Sequence, residues 1–266
     1  MHDVFLCYLT FMVFVATIKS GFLRNDSMKK NVLITGASRG IGAAAARAYA
    51  NAGYNLILTC HTNADRLLAL RDELVSTYSI DVTTHVADIS KPEEVDRIFD
   101  GLTHLDVLIN NAGISYVGLL HEMSIEDWHR IMDTNLSATF YTCRRAVPLM
   151  LKSHSGKILN VSSVWGQVGA SMEASYCASK AGLNGLTMAL AKELAPSNIQ
   201  VNAVACGLIA TDMNSCFSKE ELDSVIDEIP ADRIGTPEEV AELLLQLGNS
   251  PAYLTGQVIR IDGGWI

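Results

Sequence analysis

Seven short apolar, β-rich runs recur along the chain from Lys30 onward, most of them followed by a stretch of helical character. This alternation limits the fold more than any other feature. NVLIT (31–35), NLILT (55–59), VTTHVA (82–87), DVLIN (106–110), KILNVS (157–162), IQVNAVA (199–205) and QVIRI (257–261) read as strands. Several are apolar on both faces, the pattern of strands buried in a parallel sheet. The stretches between them carry helix signals. IGAAAARAYANAG (41–53) ends on a glycine suited to a helix stop. TPEEV (236–240) has a threonine cap, a proline at the first helical position and a glutamate three beyond the cap. SIEDW (124–128) and SKPEEV (90–95) open helices in a similar way. The expected fold is α/β: a single doubly wound parallel sheet of about seven strands, with helices on both faces.

Bulk properties narrow the function classes. The 266 residues are 49% hydrophobic and 18% charged, which is globular, and no internal repeat or linker-like segment divides them. The formal net charge is −9 with no lysine or arginine run, which disfavours a nucleic-acid or anionic-membrane surface. Cysteines 7, 60, 143, 177, 206 and 216 form no CxxC and no Cys/His cluster of metal spacing. They fit a reduced, cytoplasmic setting, with no metal expected.

Residues 1–27 form an apolar N-terminal extension, distinct from a domain expected over 28–266. VFLCYLTFMVFVATI (4–18) is short for a membrane span, and His2 and Asp3 stand where a signal peptide carries basic residues. MKKNVLITGASRG reads as the beginning of a soluble domain at Met28. Three readings stay open: a start codon placed too far upstream, a membrane or interfacial anchor, and a signal peptide.

TGASRGIG (35–42) follows the first strand directly and opens the first helix. Gly36 permits a tight turn, Gly40 lets a phosphate approach the backbone, and Gly42 lets helix and strand pack closely. The helix N-terminus then offers free N–H groups and a partial positive charge to a pyrophosphate. A plain tight turn between strand and helix is the competing reading. NAD enzymes usually place a carboxylate at the end of the second strand, for the ribose 2′-hydroxyl. Here that region reads TCHTN (59–63), with no carboxylate before Asp65. Arg39 in the loop is free to meet a 2′-phosphate, helped by His61, Thr62 or Asn63. NADPH is therefore expected over NADH.

These segments, with NNAG (110–113), Asn135 in DTNLSA, Ser163 in NVSSVWG, YCASK (176–180) and NAVACGLIATDM, resemble the short-chain dehydrogenase/reductases. The resemblance runs from about Met28 to Ile266 with the motifs in order, and is greatest to the 3-oxoacyl-(acyl carrier protein) reductases. It implies a Rossmann-type fold and reduction of a ketone to an alcohol. It also implies a homodimer or homotetramer, assembled through the helices bearing Asn135 and Lys180 and through the C-terminal segment. The resemblance makes Tyr176 the general acid, and gives Lys180 the tasks of tuning it and binding the nicotinamide ribose. Ser163, rather than its neighbour Ser162, would hold the substrate oxygen, and Asn135 would hold a water linking Lys180 to solvent, through its helix rather than its side chain alone. Gly36, Ser38, Arg39, Gly40, Ile41 and Gly42 would meet the cofactor phosphates. Asp88 and Ile89 would flank the adenine. Asn111, Ala112 and Gly113 would line the cofactor, and Ile209 and Thr211 would meet its carboxamide. A non-catalytic sensor on the same fold would carry a broken tetrad, and here the tetrad is whole.

The YCASK spacing has its own chemistry. Moving a phenol from its reference pKa of about 10 to about 7 takes roughly 4 kcal/mol of preference for phenolate. One ammonium at ~4.5 Å in an effective dielectric of about 20 supplies nearly that. Lys180, four residues beyond Tyr176, would lie on the same helical face.

Two features depart from the family pattern. Cys206 precedes Gly207 where proline is common, and APSN (195–198) is neutral where arginine is often found. Only Lys152, His154 and Lys157 offer positive charge before the fifth strand, so an acyl-carrier substrate is under-supported. SSVWGQVGASMEASY (162–176) also looks like a subgroup reducing a ketone-bearing modification on elongation factor P. In that reading Trp165, Gln167, Met172 and Glu173 shape the substrate mouth, under a cover formed by residues 214–231.

Overall fold

The apolar runs form seven strands: β1 Asn31–Ile34, β2 Asn55–Cys60, β3 Val82–Val86, β4 Val107–Asn110, β5 Gly156–Ser163, β6 Ile199–Cys206 and β7 Val258–Ile261. In the computed structural model, which describes residues 29–214 and 218–266, they make one sheet in the order β3-β2-β1-β4-β5-β6-β7. Every pairing is parallel. The readings made for the N-terminal extension and for Met28 lie outside the described residues. Among the described residues, no helix is long and apolar enough to cross a membrane.

Strand alternation divides the core in two. Val32, Ile34, Leu56 and Leu58 face one helical layer, containing α1 (Gly40–Asn51), α2 (Ala64–Thr77) and α9 (Pro237–Gly248). Leu33, Ile57, Leu108, Ile158 and Val201 face the other, containing α3 (Pro92–Phe99), α5 (Ala138–Ser153) and α7 (Ala174–Leu194). Each such aliphatic side chain, fully buried, contributes about 1.5–3 kcal/mol. Tyr49 of α1 is fully buried, and its hydroxyl donates to the Leu244 carbonyl of α9 at 2.9 Å. That bond ties the two outer helices together.

The helix signals are mostly realised. Ser124 caps α4 (Ile125–Met132), and Thr236 with Glu239 forms a full capping box on α9. Gly53, at φ +83°, stops α1 as its position suggests. Ser90 behaves differently. It donates to the Asp88 carboxylate at 2.7 Å, and α3 begins from Lys91 without a side-chain cap. The remaining helices are α6 (Trp165–Val168) and α8 (Lys219–Ile226).

A polar seam runs through the sheet centre. Asn110 of β4 donates to Asn160 of β5 at 2.9 Å and accepts from Thr142 of α5 at 2.7 Å. Asn160 in turn donates to Thr187 of α7 at 2.8 Å. All four are buried, so each unmet group would cost the full penalty of desolvation. Strand order reverses between β1 and β4, and a crevice opens there beyond the carboxyl ends of the strands.

Candidate active site

The crevice is a cleft of about 560 Å³, walled by the glycine loop, the ends of β2 and β3, and the segment after β4. Gly36 holds φ +66°, and a Cβ there would stand 2.9 Å from the Ala112 Cα, so the two loops touch only because the side chain is absent. The turn is locked from the other side. The Thr35 hydroxyl accepts from the Asn111 and Ala112 amides at 3.0 and 3.1 Å. The Asn111 side chain donates to the Thr35 and Gly36 carbonyls at 2.9 and 3.0 Å.

Helix α1 opens on this cleft from Arg39 with no side-chain cap and no acidic residue in its first turn. Helices α4, α8 and α9, by contrast, carry capping side chains. Free amides and an uncompensated helix dipole facing a cleft suit a pyrophosphate. Of the residues expected at the cofactor, Gly36, Ser38, Arg39, Gly40 and Ile41 border this cleft. So do His61, Thr62, Asn63, Asp88, Ile89, Asn111, Ala112, Gly113 and Thr211. Gly42 does not: it is buried, and a Cβ there would run into the Gly36 carbonyl, so it serves helix–loop packing. Burial raises the Asp88 carboxyl, but hydrogen bonds from Ser90 outweigh it and hold it below its usual range. The second strand ends on buried Cys60, with exposed His61 beside Asp88 at 4.0 Å.

A second cavity, of about 370 Å³, adjoins the first along Ile41, Thr211 and Met213. Ser163, Tyr176, Lys180 and Ile209 line it. Ser163 ends β5; its hydroxyl accepts from the Trp165 amide at 3.2 Å and lies near enough to the Tyr176 phenol to oppose the rise in its pKa. Ser162 is engaged elsewhere, donating to Asn184 at 2.7 Å. Tyr176 and Lys180 share one face of α7, both buried, with the ammonium 5.7 Å from the centre of the phenol ring.

Electrostatics here differ from the sequence expectation. Burial pushes the Tyr176 phenol well above its usual value, against a lowering contribution from Ser163. Burial likewise draws Lys180 down to about 8. The ammonium, 5.7 Å from the ring centre, donates to the Val161 carbonyl at 2.8 Å. Desolvation of two buried groups wins over their mutual interaction, so Lys180 alone does not bring the phenol toward neutrality.

Asn135 lies in a π-helical turn, Asp133–Ser137, and both of its side-chain donors are committed. It accepts from the Ile114 amide, donates to the Ile114 carbonyl and donates to Ser179 at 3.1 Å. It pins the segment after β4 onto α7, close to Lys180. Both side-chain donors are used, so a water there would meet Asn135 at an acceptor oxygen or at its backbone. π-turns of this kind recur at functional sites because they disturb the normal helical bonding.

Sequence reasoning placed the cavity wall in part. Trp165 and Glu173 line it, whereas Gln167 and Met172 are exposed outside it. Within the 214–231 cover, Leu222, Val225 and Glu228 line the cavity. Trp265 was not anticipated. It packs edge-on against Trp165, ring centres 4.9 Å apart, and its indole donates to Glu228 at 3.3 Å. Burial raises the Glu173 carboxyl despite a hydrogen bond to the Trp165 side chain. Lys157 is not available to a substrate. It opens β5 at the opposite end of the sheet and donates to the Ser250 carbonyl at 2.7 Å. Lys152 and His154, at the end of α5, share that remote end. The Cys206 thiol is buried, pushed up to about 12, and so stays protonated beside Lys180.

The description "short chain dehydrogenase" fits residues 30–222. The chain is 40% identical to the 3-oxoacyl-[acyl-carrier-protein] reductase FabG of Aquifex aeolicus over 237 residues, 87% of this chain and 95% of the relative. It is also 40% identical to the 3-oxoacyl-[acyl-carrier-protein] reductase of Synechocystis, over 88% of this chain and 96% of the relative. Among solved structures, the 3-oxoacyl-[acyl-carrier protein] reductase of Brucella melitensis superposes with a TM-score of 0.84 at 34% identity. That match covers 89% of this chain and 91% of that one.

Proposed function

The chain belongs to the short-chain dehydrogenase family of oxidoreductases, and from that premise we propose that it uses NADPH to reduce the ketone of a 3-oxoacyl thioester to a secondary alcohol. One observation carries the reading: Ser163, Tyr176 and Lys180 converge, buried, in the cavity that adjoins the cleft. When bound, the dinucleotide supplies hydride to the carbonyl carbon. The Ser163 and Tyr176 hydroxyls hold the carbonyl oxygen and stabilise the charge that develops on it. Tyr176 donates its proton to that oxygen. An alkoxide is far more basic than a phenolate, so the transfer runs downhill even from a buried phenol. Lys180, near 8, restores the proton, and Asn135 fixes the helix that carries both.

The cleft residues Gly36 to Ile41, Asp88 to Ile89 and Asn111 to Gly113 hold the dinucleotide. Cys60 in place of a carboxylate, with Arg39 nearby, supports the 2′-phosphorylated form. Exposed Phe140 on α5 and Met188 on α7 support a homodimer or homotetramer built on that face. The free thiols of Cys60, Cys143, Cys177 and Cys206 support a cytoplasmic setting.

A second reading is favoured by the charge of the substrate cavity. Its charged lining is Glu173, Glu228 and the catalytic Lys180. Among the described residues, no arginine lines this cavity to meet an acidic carrier. Two carboxylates beside a pair of edge-on indoles suit a neutral or cationic ketone, such as the ketone-bearing modification on elongation factor P. NADPH oxidation with acetoacetyl-CoA, acyl-carrier thioesters, simple ketones and modified elongation factor separates the two. Preference for a thioester upholds the first reading, and preference for modified elongation factor replaces it with the second.

A further inference from the structure

A charged cluster stands where the cleft gives way to a neighbouring surface pocket, outside the catalytic group: Arg39 and Asp212 border both, and Arg66 borders the second. One oxygen of Asp212 accepts from Arg39 Nη1 at 3.0 Å and from Arg66 Nη1 at 3.2 Å. Arg39 comes from the glycine loop, Arg66 from the first turn of α2, and Asp212 from the 3₁₀ turn Asp212–Asn214 that follows β6. The two guanidinium groups thus lie across a single oxygen atom from each other. Neighbouring Arg47 is engaged by Glu73 at 2.7 Å. Among the described residues, Asp212 is the sole carboxylate in ion-pair contact with Arg39 or Arg66. Residues Thr211 and Met213, on either side of Asp212, border both cavities.

We propose that Arg39 and Arg66 together form the site for the 2′-phosphate of NADP(H), that Asp212 competes with that phosphate, and that phosphate binding frees the Thr211–Met213 edge shared by the two cavities. This rests on the NADPH reading above. A carboxylate here supplies one negative charge to two cations. A phosphate dianion matches both charges and presents three oxygens to the planar forks. The ion pairs are more than half exposed, and exposed pairs hold weakly, so a dianion can displace Asp212. Asp212 is fixed in the same turn as Met213, so its release is felt at the substrate cavity. By linkage, whatever repositions that edge on the substrate side changes affinity for the phosphate by the same factor. Arg66 is then a determinant of cofactor choice that lies on a helix rather than in the glycine loop.

The test uses the full chain and two soluble probes, ADP and adenosine 2′,5′-bisphosphate, titrated by calorimetry into wild type, Arg66→Gln and Asp212→Asn. Arg66→Gln weakens the bisphosphate by about tenfold and leaves ADP nearly unchanged. Asp212→Asn tightens the bisphosphate severalfold and leaves ADP unchanged. Trypsin cleavage after exposed Lys219 accelerates in wild type with the bisphosphate, and in Asp212→Asn without it, but not with ADP. Equal weakening of both nucleotides by Arg66→Gln, or full retention of bisphosphate preference, overturns the two-arginine site while leaving the NADPH reading intact. Weaker bisphosphate binding by Asp212→Asn overturns the competition, and unaltered cleavage overturns the release. Wild type that binds both probes equally overturns this inference and the NADPH reading together.

Discussion

The Lys180 ammonium lies over the Tyr176 ring, 5.7 Å from its centre, and donates to the Val161 carbonyl instead of the phenol oxygen. The pair is therefore arranged to keep the phenol protonated, ready to donate, while a titratable amine waits beneath it. On the function proposed above, the buried phenol enters the cycle protonated, as a proton donor must.

Tyr176→Phe removes the proton donor without altering the ring packing. Turnover in ketone reduction falls by about 10²–10⁴-fold. NADPH affinity, measured by fluorescence titration, changes little. Near-normal turnover would remove Tyr176 from the acid role.

Lys180 carries a pH signature in stability as well as rate. Its folded pKa, about 8, lies below the free-lysine value of about 10.4. Between those values the unfolded chain binds more protons, so stability rises with pH through that window. Below it the buried ammonium destabilises the fold, by at most about 3 kcal/mol. Lys180→Met is expected to raise the melting temperature at pH 7, less the loss of the Val161 hydrogen bond, with the gain shrinking toward pH 10. The same variant loses reductase activity. In wild type, reduction declines above about pH 8 as Lys180 loses its proton.

The adjacent serines separate chemistry from scaffold. Ser163→Ala lowers kcat about 10- to 100-fold with little change in melting, since the structural bond it loses is the one accepted from the Trp165 amide. Ser162→Ala leaves the Asn184 side chain without its buried partner and costs about 1–3 kcal/mol in denaturant unfolding, with kcat largely kept. Reversed outcomes would exchange their roles.

Arg39→Ala weakens NADPH about tenfold and NADH by less than twofold, read from dissociation constants. Equal losses would point to a general electrostatic role for the loop.

Glu228→Lys turns one of the two carboxylates at the cavity into a cation. KM for an acidic carrier thioester falls severalfold, and KM for a cationic ketone rises. A change in kcat alone would place Glu228 in the cover's movement rather than in recognition.

The strands were legible because Leu33, Leu58 and Ile109 sit in runs apolar on both faces, which only a sheet covered on both sides accommodates. Helix starts were legible where a capping side chain reaches an amide three residues on, as at Ser124 and Thr236. Ser90 carried the same signal but found Asp88 nearer than any helix amide. Spacing correctly placed Tyr176 and Lys180 on one face. It could not supply the direction of the ammonium, which is set by the Val161 carbonyl on a different element. Gln167 and Met172 were misplaced because nearness in sequence to Trp165 says nothing about which way a loop turns. The meetings of Arg66 with Asp212, and of Trp165 with Trp265, join positions 146 and 100 residues apart, beyond any local pattern.

The asparagine–threonine seam joining β4, β5, α5 and α7 gives the molecule a way to refuse near-miss packings. Greasy contacts tolerate sliding by half a residue; four mutually matched amides and hydroxyls do not. A sheet rebuilt there with leucine and valine would still assemble, but the tyrosine and lysine on α7 would drift against the serine on β5. Evolution of new substrates in this chain is therefore free to rework the walls around Trp165 and Glu228, provided the seam stays intact.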